Sequence, residues 1–530
     1  MTNKLLKGAA VIGIAGVIVK FLGAFFRIPL TNWIGDVGMS YYGFAYSIYG
    51  ALLVLATAGL PVAISRLVSE NVAKKHYNNA HKVFKVSVLL MFTIGMISFA
   101  ICFFGSEFIT EKLGNPDANF AVKAIAPALL FVPILSAFRG YFQGRQNMNP
   151  TALSEISEQT IRVIVGLALA SFLLKDGLEM AAAGASFGAS AGAFGGLLVM
   201  FTIYMLNRKV IKRKISLNNK ELEDTKVILK KIIVIAVPII IGSEIMPVMN
   251  LIDMSIIMTR LQAMGWSYVE AKAMFGLING FCSSLISFPQ IFTQAVAISL
   301  VPAIARAAAV KDQEGIEENV PLGYRTTMIM AFPCAIGIVA LAKPILFLLY
   351  PMQKESAAEA APTLMIMAIG VIALAISQTA TGTLQAIGKQ NIPVKNLLIG
   401  CIAKVIITYI LVGVKALNIK GAAIGTIVAY VIDFTLNNRA VRKYTGVKID
   451  FNLTYVRPFL ASAVMGISAF AVHALLAGLV GNSIATLVAI IIGAVVYAVL
   501  IFVFRAITID ELKLIPGGAK FEKIVRKIVK

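Results

Sequence analysis

Apolar residues run along this chain in long blocks divided by short polar connections, without the alternation of a strand. Fourteen blocks are long enough to cross roughly 30 Å of hydrocarbon as helices. They fall at about 8–30, 41–66, 83–105, 118–141, 150–174, 180–206, 230–258, 272–301, 323–350, 361–387, 393–414, 419–438, 456–478 and 481–504. The pattern predicts an all-α polytopic membrane protein of fourteen transmembrane helices. The N-terminal apolar run carries Lys20 and lacks a small-x-small cleavage site, so it reads as a retained first helix and not as a signal peptide. No connection is long enough for a folded soluble domain, and no Walker A loop occurs.

Composition agrees: 58% of the 530 residues are hydrophobic and only 14% charged, against about 25% charged in soluble domains. The net charge of +22 would suit nucleic acid, but the basic residues stand in short runs between apolar blocks, which excludes that partner and points to the membrane. With the N-terminus inside, inward connections hold 35 Lys and Arg, outward connections nine, and four more stand within spans. This asymmetry predicts both termini in the cytoplasm. The tail beyond Thr508 has helical apolar spacing with Lys and Arg between, and reads as an interfacial amphipathic helix. The four Cys lie in apolar stretches and read as core residues. His76, His81 and His473 are too scattered for a metal centre, and His76 and His81 read as loop residues.

The two halves share punctuation. Gly144-Arg-Gln-Asn147 matches Gly388-Lys-Gln-Asn391, an Ala-Pro pair precedes each, and the following helices carry Arg162-Val-Ile and Lys404-Val-Ile. Gly184 and Gly188 answer Gly421 and Gly425, with offsets near 240 residues. The reading is two six-helix bundles related by a parallel repeat, plus two C-terminal helices. The expected divisions are an N-terminal bundle over 1–206, a basic cytoplasmic loop over 207–231, a C-terminal bundle over 232–441, helices 13 and 14 over 442–505, and an amphipathic tail over 506–530. Parallel halves of this kind rock in alternating-access carriers with a site near the midplane. The ridge Gly184, Gly188, Gly192 and Gly196 reads as helix packing.

Ionisable groups at membrane depth are costly and mark cavities or partners. Lys20 and Arg27 stand seven residues apart on one helical face. Glu158 and Arg162 have the i,i+4 spacing of an internal ion pair, with Glu155 nearby, and Lys404 has no acid close on its own span. Lys20, Arg27, Arg162 and Lys404 are the candidate substrate contacts. Glu244, Asp253 and Asp433 are candidates for binding a coupling H⁺ or Na⁺. No other cofactor, no metal and no catalytic constellation is expected. Cations dominate, so an anionic substrate is favoured.

Lys20-Phe-Leu-Gly-Ala-Phe-Phe-Arg27-Ile-Pro29, Gly35-Asp-Val-Gly38, Gly59-Leu-Pro61 through Arg66, Phe288-Pro-Gln290, Ser299-Leu-Val-Pro302, Gly388-Lys-Gln-Asn391 and Asp510 through Pro516 carry a resemblance. Together they resemble the SpoVB/YtgP group of the multidrug/oligosaccharidyl-lipid/polysaccharide (MOP) exporter superfamily, which is similar to the MurJ lipid II flippases. The resemblance spans the chain. It implies two six-helix bundles about a central cavity, no enzymatic activity, and transport of undecaprenyl-diphosphate-linked cell-wall precursor or polysaccharide units between leaflets of the bacterial cytoplasmic membrane. Of the family's cavity cations it carries over only Lys20 and Arg27, because 52–55 and 282–286 hold none of the arginines found there in better-known Gram-negative members. The implied partners are a lipid-linked anionic glycan, membrane lipid and cell-wall synthesis enzymes. A drug or metabolite antiporter of the same superfamily and a membrane scaffold are the alternatives.

Overall fold

The computed structural model describes residues 2–216 and 222–506. Up to Gly280 the chain forms one compact unit, and from Phe281 a second. The first contains α1 (Thr2–Thr57), α2 (Leu60–Ala73), α3 (Tyr77–Phe104), α4 (Ser106–Lys112), α5 (Asn119–Ile125), α6 (Ala128–Gly144), α7 (Asn149–Leu173), α8 (Leu178–Ser216), α9 (Thr225–Ala263) and α10 (Tyr268–Gly276). The second contains α11 (Ser283–Ala309), α12 (Gln313–Ala340), α13 (Ala342–Leu349), α14 (Lys354–Ala386), α15 (Asn391–Val412), α16 (Lys420–Thr445) and α17 (Arg457–Val503).

Eleven helical stretches among the described residues are long and apolar enough to cross a membrane. Two of these contain a non-helical glycine where the sequence expects separate spans: Gly35 at φ 64° within α1 and Gly481 at φ 78° within α17. Each lies in the left-handed region that glycine adopts without steric cost. After the first break Asp36 Oδ1 accepts from the Val37 backbone N–H at 2.6 Å. This satisfies a donor that a helix start otherwise leaves free. α16 is helical over 26 residues but is not among the eleven.

Outward faces are apolar, as lipid requires: Leu89, Phe104, Phe172, Leu475 and Leu479 are each more than 60% exposed. Ile64 and Phe84 pack with Tyr141 and with Ile211, Ile228 and Ile232 in the first unit. In the second, Ile304, Tyr324 and Met328 pack with Leu384 and Val441.

Three expectations are corrected. The basic connection expected over 207–231 is mostly helix, because Ile211 on α8 and Ile228 on α9 are buried and prolong both helices. His81 is not on a loop but within α3, its ring set against Phe84, Tyr141 and Tyr204. α9 belongs to the compact first unit, although the sequence grouped it with the second bundle. The amphipathic tail expected beyond Thr508 lies outside the described residues.

The glycine ridge of α8 lies directly on α7. A Cβ at Gly184 would stand 2.9 Å from the Leu169 carbonyl oxygen, at Gly188 2.7 Å from that of Arg162, and at Gly192 2.5 Å from that of Glu158. The second unit has the same spacing between α16 and α15. A Cβ at Gly421 would stand 2.8 Å from the Leu411 carbonyl oxygen, one at Gly425 would strike Thr408 and lie 3.4 Å from that of Lys404, and one on Gly400 would lie 2.8 Å from that of Ala429.

Candidate functional site

In the first unit, Tyr42, Tyr46 and Tyr49 repeat at helical spacing on α1 and turn one aromatic face toward α7. Arg162 of α7 lies against this face. Its guanidinium carbon is 4.8 Å from the Tyr46 ring centroid and 5.8 Å from that of Phe26, and Nη2 donates to the Tyr42 hydroxyl at 3.2 Å. Such faces attract a cation without neutralising it. Arg162 Nε is buried with no hydrogen-bond partner, and so is the Tyr46 hydroxyl.

The i,i+4 ion pair expected between Glu158 and Arg162 is replaced by another. Glu158 Oε2 accepts from Arg139 Nη2 at 2.7 Å, and Arg139 Nε donates to Ser154 Oγ at 2.9 Å. Arg139 lies within α6. The acid is thereby occupied by a neighbouring helix, and Arg162 keeps its positive charge. The tyrosine spacing was the available signal for the cage, whereas the Arg139 contact joins helices whose facing sides no local spacing reveals.

Lys20 and Arg27 stand on the uninterrupted first part of α1, Lys20 exposed and Arg27 half-buried. Phe26, next to Arg27, is the residue that faces Arg162. Gln159 of α7 is 8% exposed and would meet a Cβ on Gly23 at 3.6 Å, so this stretch of α1 lies along the Arg162 helix. Glu244 and Asp253 are half-buried on α9, and Glu244 Oε1 is buried without a hydrogen-bond partner.

The second unit places its candidates separately. Lys404 is 8% exposed on α15. Asp433 of α16 is buried, accepting from Ser377 of α14 and from Asn437 Nδ2 at 3.0 Å. Asn396 Nδ2 donates to Asn437 Oδ1 at 2.8 Å, so the network joins α14, α15 and α16. It is a satisfied polar bridge, of the kind a span needs before it can bury a carboxylate.

A cavity of about 460 Å³ opens among α11, α12, α13 and α17, lined by Phe288, Pro289, Ile338, Met465, Ile490 and Tyr497 among others. The Tyr497 hydroxyl is spent on the Ile329 carbonyl oxygen at 2.5 Å. The walls therefore offer hydrocarbon contact and little else.

A multi-helix membrane protein with an arginine held among aromatic rings between two of its helices and an apolar cavity in its second unit has the features of a membrane carrier. The chain belongs to the polysaccharide biosynthesis protein family, whose model matches residues 5–308, more than half of it, and it is a member of the MOP superfamily in the SpoVB- and MurJ-like group. The MatE family model matches residues 238–410. The lipid II flippase MurJ of Bacillus subtilis (strain 168) is 28% identical over 484 residues, covering 88% of each chain. Stage V sporulation protein B of the same organism is 25% identical over 512 residues, covering 96% of this chain and 97% of that one. A solved structure of lipid II flippase MurJ in an inward closed conformation superposes with a TM-score of 0.70 at 16% identity, covering 93% of this chain and 98% of that one. That likeness establishes the fold.

Proposed function

We propose that this protein is a flippase that moves an undecaprenyl-diphosphate-linked cell-wall precursor, lipid II-like, or a polysaccharide repeat unit from the inner to the outer leaflet of a bacterial cytoplasmic membrane by alternating access. The observation that carries the reading is Arg162, a cation at membrane depth whose sequence-adjacent acid is committed to Arg139. A diphosphate supplies the charge such a cation lacks, and charge-assisted hydrogen bonds replace the water the headgroup gives up. Lys20 and Arg27 on the adjoining part of α1 extend the cationic path, and Lys404 is the corresponding cation of the second unit. The isoprenoid tail cannot leave hydrocarbon, and the cavity beside α17, within the roughly 300–1,000 Å³ usual for ligand pockets, suits such a chain. No covalent step is needed.

The reading includes fourteen spans in two six-helix bundles with a parallel repeat and both termini inside. The recurrent spacing of the glycine contacts between α7 and α8 and between α15 and α16 supports the repeat. An inside-negative potential assists outward anion movement by about 2.3 kcal/mol per charge per 100 mV. Glu244, with Oε1 buried and unpartnered, is the foremost candidate for a coupling proton or Na⁺, followed by Asp253 and Asp433. The MatE match favours one second reading, a drug antiporter. Translocation by purified protein in vesicles separates the two readings. A glycan on undecaprenyl diphosphate should cross, the same glycan on a neutral polyprenol should not, and movement of a cationic drug with no movement of the diphosphate lipid would favour the antiporter.

A further inference from the structure

Lys272 is 4% exposed on α10. Its ammonium donates to Asp117 Oδ2 at 2.5 Å and to the Tyr41 hydroxyl at 2.9 Å. It also lies 4.3 Å from the Tyr268 ring centroid and 5.0 Å from that of Tyr41. Beside it the Tyr268 hydroxyl donates to Asn115 Oδ1 at 3.1 Å, and Asn115 Nδ2 donates to Ser40 Oγ at 3.2 Å. One cation thus gathers α10, the part of α1 after its break, and the short turn Pro116–Ala118.

Close helix contact surrounds this pair. Any Cβ on Gly276 would strike the Asp36 carbonyl, one on Gly280 would lie 2.9 Å from the Met39 Cβ, and one on Gly43 would lie 2.9 Å from the Asn279 Cβ. Directly after α10 the helix widens into a π-helical segment, Leu277–Cys282, and inside it, after Gly280, the chain leaves the first unit. Single π turns are uncommon and recur at functional positions.

In this pair Lys272 is buried while the Asp117 carboxylate is 33% exposed, so screening on one side and desolvation on the other leave little net stability, and the best-attested use of such a pair is to fix a register or a switch. Apolar side chains would hold α10 against α1 equally well. They would not make the contact all-or-none.

We propose that Lys272 is a positioning residue that clasps α10 to α1 through Asp117, and that opening of this clasp, hinged at 277–282, is a step of the transport cycle. The inference goes beyond the proposed cargo and holds for any substrate.

The test uses the full chain in lipid nanodiscs with its four cysteines replaced and a single reporter, Met39→Cys, at a position 0% exposed. Lys272→Met or Asp117→Asn should raise its maleimide labelling rate severalfold. The exchange Lys272→Asp with Asp117→Lys should bring the rate back toward the parent value. A separate reporter, Leu384→Cys in the second unit and also 0% exposed, should keep its rate in all variants. An unchanged rate at residue 39 in both single variants, with the second-unit reporter steady, overturns the clasp. Should the single variants unfold, raising both reporters, a reducible bismaleimide bridge between Asp117→Cys and Lys272→Cys, which spans the place of the lost pair, decides. The bridged protein should stop transporting and recover on reduction, and equal transport in the two forms overturns the inference. Absence of transport even after reduction, when the parent also fails with that cargo, counts against the cargo reading alone, and the labelling arm then stands by itself.

Discussion

Arg162 is expensive where it stands, because its guanidinium is removed from water and receives two aromatic faces and one hydroxyl in exchange. A residue held for packing would be replaced by an apolar one at little loss, since apolar substitutes for buried charges are often neutral or stabilising. Arg162→Met should accordingly leave thermal unfolding in detergent near the parent value while abolishing diphosphate-lipid movement. Arg162→Lys should retain part of the transport, because the charge survives and the planar fork does not. Glu158→Gln behaves oppositely. It strands Arg139 beside an amide, and unfolding should weaken by about 1–3 kcal/mol. A chain in which Arg162→Met unfolds and Glu158→Gln does not would reverse the two roles. The sequence made Arg162 legible as an intramembrane cation and misassigned its partner, because i,i+4 spacing measures proximity along one helix while Arg139 comes from the next.

Helix pairing in these units depends on glycine. The Gly188 position on α8 meets the Arg162 carbonyl at 2.7 Å, and a backbone atom cannot give way as a side chain can. Gly188→Val should cost about 1–3 kcal/mol by overpacking, while Gly50→Ala, with nothing within 4 Å, should be tolerated. Thermal unfolding of the two variants checks the pair, and equal shifts would mean that the ridge does not set the α7–α8 distance. The ridge was legible because small residues four apart leave a groove that only a second backbone fills. Less legible were the ends of elements. The apolar run near 207–231 is broken by Lys and Arg, yet α8 continues to Ser216 because Ile211 finds a buried place. His81 reads from the sequence as a loop residue, because two of the rings around it, Tyr141 and Tyr204, come from α6 and α8 and no local spacing reveals them. Lys272 was similarly hidden, since neither Asp117 nor Tyr41 is near it in the chain.

Across the whole molecule the hydrophobic blocks were the most informative feature, because a span must be long and apolar whatever it packs against. Each of the fourteen blocks overlaps helix among the described residues, some across a break such as Ala58–Gly59 or Leu341, and eleven stretches meet the length and hydropathy of a crossing, two of them with Gly35 or Gly481 inside and α16 outside the set. The basic asymmetry predicts an orientation that can be read directly. A cysteine at Lys112 should react with an impermeant reagent from outside intact cells, and one added after Lys530 should react only after permeabilisation. The reverse would invert the topology and the direction assigned to transport. The central claim is that cations of the first unit serve a lipid-linked diphosphate, and the most direct measurement is the accessibility of lipid-linked cell-wall precursor in the outer leaflet when an Arg162→Met variant, or a Lys20→Ala, Arg27→Ala double variant, replaces the parent at equal level. The account predicts precursor retained in the inner leaflet, and parent-level appearance outside would contradict it.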